Sequence, residues 1–77
     1  EPFPLETPVA PGSAFGRALG RDDVRICGIL ASGRVTTVEE LLSMSVTQVL
    51  RLPNMGRKHL EVIERALTPR GQSFREE

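Results

Sequence analysis

Residues 50–63 read LRLPNMGRKHLEVI. An apolar run ends at Pro53, the loop PNMG follows, and two cations, Arg57 and Lys58, precede a helical pattern. The residue before a proline is pushed out of the α region, so Leu52-Pro53 ends the helix that comes before it. Leu60, Ile63 and Leu67 recur at i, i+3 and i+7, which predicts an amphipathic helix from about Arg57 to Leu67. Glu61 and Arg65 form an i,i+4 pair on its wet side. The tight connection between the two helices calls for a residue that tolerates positive φ or a close backbone approach, and Gly56 supplies one. Two cations in a first turn oppose the helix dipole, by roughly 0.3 kcal/mol or more each. That placement turns favourable if the open N–H groups of the helix start and the two side chains together hold an anion such as phosphate.

Short helical patterns precede this segment. Asp22 or Asp23 is expected to cap a helix running through Ala31, with Val24, Cys27 and Leu30 on or near one face. Ser32-Gly33-Arg34 breaks it. Thr37 to Glu40 and Ser45 to Gln48 each match a capping box, and each opens a short helix. At the far end TPRG, residues 68–71, stops the last helix, and the polar tail is expected to fray. Residues 1–12 hold Pro2, Pro4, Pro8 and Pro11, a density that favours extended, unpaired backbone. Residues 1–20 therefore read as a Pro-rich extended leader or linker that Phe3 and Leu5 could pin, and residues 21–75 as the folded domain. Within the leader, SAFGRALG (residues 13–20) is compatible with a helical turn or with a loose chain. The expected fold is all-α: a compact bundle of four to five short helices, with no strand and a core of about a dozen aliphatic side chains.

Composition narrows the function classes. A chain of 77 residues with one cysteine, Cys27, has no internal disulfide, and Cys27 and His59 are too few for a structural zinc site. Cys27 falls on the apolar face and reads as a small buried hydrophobe. A reduced, cytoplasmic compartment fits best. No apolar run approaches the ~20 residues of a membrane span. Three phenylalanines, with no Trp or Tyr, argue against a base-stacking platform. The formal net charge is zero but uneven: −1 over residues 1–20 (two acids, one base), +2 over 21–58 (four acids, six bases) and −1 over 59–77 (four acids, three bases). Any anion site is therefore a local patch. No combination of nucleophile, base and metal ligand supports catalysis, so the domain reads as non-enzymatic, with no cofactor.

The longer context of the loop carries a resemblance. VTTVEELL (residues 35–42), VLRLPNMGRKHLEVIERAL (49–67) and RGQSF (70–74) fall in one order and resemble, without a gap, the C-terminal domain of the bacterial RNA polymerase alpha subunit. The resemblance runs from Val24 to Phe74, about two thirds of the chain. It leaves open a polymerase subunit or an alpha-C-terminal-like domain of another protein. It implies a compact helical domain with a helix-hairpin-helix-like element. It implies binding to the minor groove of A·T-rich duplex DNA upstream of promoters, association with the nucleoid, and contacts with transcription activators, the sigma factor and RNA polymerase.

Carried over residue by residue, the resemblance puts the principal DNA arginine at Arg25, early in the helix that starts at Asp22 or Asp23. An arginine there suits a narrow A·T minor groove, where the negative potential is enhanced. Asn54, Gly56 and Lys58 fall on further DNA-contacting positions, Arg57 on a basic position beside them, and His59 on the position of a phosphate-bonding serine. There are departures. Gly28 stands where the family commonly has an asparagine, which removes a groove contact and weakens the helix by roughly 0.5–1 kcal/mol. Val62 stands where the family often has an acid. A second reading, of another class, is a helical protein-docking domain without DNA binding, with Phe15, Leu19, Met44 and Met55 as candidate anchors where they are exposed.

Overall fold

The computed structural model describes residues 1–76. Their regular elements are α1 (Ala14–Leu19), a 3-10 turn (Gly20–Asp22), α2 (Asp23–Ser32), α3 (Val38–Leu42), α4 (Val46–Leu50), α5 (Arg57–Leu67) and a second 3-10 turn (Thr68–Arg70). The fold is all-α. The only strand-like pairings among the described residues are two isolated bridges, Pro8 with Thr37 and Ser45 with Arg75. α1 packs on both α2 and α5, and α4 packs on α5.

Local chemistry explains most helix starts. Ser45 closes a full capping box on α4: its hydroxyl accepts from the Gln48 N–H at 3.3 Å, and the Gln48 side chain accepts from the Ser45 N–H at 2.9 Å. At α3 only half of the expected box forms. Thr37 Oγ1 accepts from the Glu40 N–H at 3.4 Å, but the Glu40 carboxylate takes both the N–H and the hydroxyl of Thr36. Those bonds, the Thr36 hydroxyl first, hold the Glu40 carboxyl below its ordinary range. At α2 neither aspartate caps as expected. Asp22 makes no capping bond, and Asp23 Oδ1 accepts from the adjacent Val24 N–H. The preceding 3-10 turn already runs into the helix, so there is no extended N-cap residue to do the work.

Val24 is a second correction. It is 66% exposed, although Cys27 and Leu30 are buried as expected. Ile26 and Leu30, one turn apart and fully buried, set the centre of the stripe. At 100° per residue Val24 lies about 160° around the helix from Ile26. Cys27 is buried, and burial, followed by the nearby Asp23 charge, pushes its thiol pKa up, which keeps it a neutral hydrophobe.

Residues 1–20 are extended at first, but they belong to the core. Four core residues, Phe3, Val9, Phe15 and Leu19, come from them, while the Leu5 side chain is exposed. The backbone is tied at several points: Val9 N–H to the Thr36 carbonyl, Val38 N–H to Thr7, and Glu39 N–H to Leu5. Near the start, Gln72 grips Phe3 with both ends of its amide, accepting from the Phe3 N–H at 3.0 Å and donating to its carbonyl at 3.1 Å. The Phe3 ring meets Phe15 edge-on at 5.6 Å and lies under the Arg70 guanidinium at 4.3 Å. The radius of gyration, 10.8 Å, is close to the roughly 11–12 Å of a compact chain this long. The ambiguous residues 13–20 form α1, with Ser13 as its N-cap. The tail is held as well: Phe74 is buried and the Arg75 N–H donates to the Met44 carbonyl. The expectation of fraying fails over these residues because Phe74 fills the core beside α4.

Phe3→Ala is expected to lower unfolding stability by about 3 kcal/mol, because it removes a core ring and its two ring partners. The midpoint and slope of a urea titration measure this. Glu40 contributes stability that is present above the ordinary carboxylate range and is lost as the pH falls through its depressed folded value. The melting temperature of a Glu40→Gln variant should therefore fall less than that of the parent between about pH 5 and pH 3.

Candidate nucleic-acid interface

The predicted interface depends on how α2 meets the segment that leads into α5. α2 ends at Gly33, where a Cβ would come within 2.4 Å of the Leu52 side chain. A side chain there would have to displace the end of Leu52, so the glycine eases this close approach. Arg34 follows at φ 65° and turns the chain away. The contact brings the outer flank of α2 beside residues 53–56.

Arg25 and Ile29, one turn apart on that flank, line a concavity of about 430 Å³ together with Asn54 and His59. Arg25 and Asn54 are exposed, His59 is half-buried, and Ile29 forms an apolar floor. Three of the six residues expected from the sequence thus share one depression. Arg57 and Lys58 stand exposed in the first turn of α5, directly before His59. Ile29 was missed at the sequence level, although its spacing of four from Arg25 on one helix was the available signal.

The loop differs from expectation in one respect. Gly56 has φ −110° and ψ 172°, extended backbone that any residue adopts. The left-handed residue is Asn54, at φ 67°. Asparagine tolerates that region better than other side chains. Met55 then turns inward and is buried, with its N–H on the Leu52 carbonyl. At Gly56 a Cβ would meet nothing within 4 Å, so the glycine leaves open space before the helix rather than satisfying a backbone need.

His59 is the N3 residue of α5, and its Nδ1 accepts from the Gly56 N–H at 3.4 Å. The ring therefore closes one arm of a capping box. Helix geometry gives the amides of Arg57, Lys58 and His59 no carbonyl of their own helix. With three cationic side chains close by, the arrangement suits a phosphate or carboxylate group.

The docking anchors expected from the sequence fare differently. Phe15, Leu19 and Met55 are buried, and Met44 is half-buried. No helix among the described residues is long and apolar enough to cross a membrane. No protein-family model matches the chain, and no solved structure matches it.

Because the left-handed region strains a Cβ-bearing residue without a compensating side chain, Asn54→Ala should cost about 1 kcal/mol, while Asn54→Gly should be close to neutral. Thermal melts of both variants check the difference.

Proposed function

We propose that this domain binds duplex DNA, with Arg25 entering the minor groove of A·T-rich sequence and the start of α5 holding a flanking phosphate. The supporting observation is the single concavity lined by Arg25 of α2, Asn54 of the loop and His59 of α5, which brings together segments far apart in sequence. Arginine is suited to a narrow groove, and backbone amides with Lys58 and Arg57 are suited to phosphate. Gly56 leaves the approach to those amides free of side chain. Together with the resemblance to the polymerase alpha C-terminal domain, this favours a non-catalytic transcription module of the helix-hairpin-helix-like kind, acting in the cytoplasm at the nucleoid. By the same resemblance its protein partners would be activators, the sigma factor or other parts of RNA polymerase. A docking domain without DNA binding has less support, since three of its four expected anchors lie in the core.

Few cations face the groove, so binding by this domain alone is weak. About three phosphate contacts predict a log–log salt slope near −3. Arg25→Ala should weaken binding to an A·T-rich duplex about tenfold or more, and Lys58→Ala should weaken binding evenly across sequences and flatten the slope by about one. Fluorescence anisotropy at two salt concentrations measures both. Absence of binding at high micromolar protein in low salt would overturn the proposal, as would unchanged binding by Arg25→Ala.

A further inference from the structure

We propose that Gly28 is a contact point for the duplex: its bare backbone lets a sugar-phosphate strand lie directly against α2, so that Arg25 reaches into the groove beside it. This rests on the DNA-binding reading above and adds a contact residue that the reading does not contain.

Gly28 is the one glycine of the chain that the fold does not require. Of the seven, Gly12, Gly20 and Gly71 sit at positive φ, and Gly16 and Gly33 face a neighbour that would crowd an added Cβ. Gly56 is the N-cap of α5, a position where glycine is favoured over other residues without a capping side chain. None of these reasons applies to Gly28. It lies in the interior of α2, outside the left-handed region, and a Cβ built on it would meet nothing within 4 Å. Glycine there destabilises the helix relative to alanine, because it loses more backbone freedom on folding. No internal contact offsets that loss. Close approach of a ligand to the backbone is the other use of a residue without a side chain.

The surroundings of Gly28 suit a nucleic-acid strand. Positions three and four apart share a helix face, which puts Val24, Arg25, Ala31 and Ser32 around it, all exposed. The four are small, apolar or cationic, and no carboxylate is among them. Asp23, in the first turn of α2, lies about 140° around the helix axis from Gly28. Val24 is 66% exposed and stands one turn before Gly28, where its methyl groups can meet the apolar edge of a sugar ring. Arg25 and Ile29, on either side of Gly28 in the chain, line the concavity shared with Asn54 and His59. A strand resting on Gly28 therefore runs along the rim of that concavity. A side chain at position 28 would hold the strand off the helix and shorten the reach of Arg25 into the groove. Contacts of this kind, to sugar and phosphate, set the position of a protein on duplex DNA.

The test pairs two measurements on the full chain. Gly28→Ala fills open space inside a helix and should raise the melting temperature by about 2–8 °C. In a titration against a rhodamine-labelled A·T-rich duplex at low salt, the same variant should bind about threefold more weakly, and Gly28→Leu about tenfold more weakly. Stability and affinity that move in opposite directions separate a lost contact from a damaged fold. Equal binding by the parent, Gly28→Ala and Gly28→Leu overturns the contact and leaves the DNA reading standing. A melting temperature that falls in Gly28→Ala overturns it as well, because the glycine would then serve the fold. Absence of binding by the parent in low salt overturns both the contact and the DNA reading.

Discussion

Burial of Leu60, Ile63, Ala66 and Leu67 along one side of α5 holds the other elements in place. α5 is the longest helix, and α1 and α4 both pack on it. The fully buried side chains of its neighbours, Phe15 from α1 and Val49 from α4, belong to the same cluster. A helix of 11 residues is marginal on its own in water, so this packing is what makes it persist. The opposite face is left polar, and its N-terminus, uncovered by any side chain at Gly56, faces solvent beside α2.

The second constraint is the close approach of Gly33 to Leu52. It sets the end of α2 against the segment that leads into α5. Arg25 and His59 are 34 positions apart in the chain, yet they line one concavity. The same surface carries an internal tension. Cations at the positive end of a helix are unfavourable for stability.

Several elements were legible because their signals are local. The bounds of α5 follow from a period of 3.6 and a preceding proline, and Ser45 to Gln48 folds as the box that its spacing describes. The half-formed box at Thr37 was harder to read, because Thr36 offers the Glu40 carboxylate a second pair of donors one residue earlier. Val24 falls off the buried stripe because Ile26 and Leu30, rather than Cys27 and Leu30, are its centre. The left-handed residue was expected at a glycine and lies at Asn54, two positions earlier. Glycine permits that conformation without requiring it, and asparagine permits it too.

Local chemistry in the chain is enough to establish the helical class, most of the helix ends and the cationic start of α5, since each depends on residues within a turn or two of one another. The role of residues 1–20 is not of that kind. A proline-rich stretch reads as linker, but Phe3 reaches Gln72, Arg70 and Phe15 only once the chain has folded back on itself. The convergence of Arg25, Asn54 and His59 is likewise a product of packing. Contacts between distant positions carry no periodicity in sequence, and only the burial of a shared core brings such residues to one place.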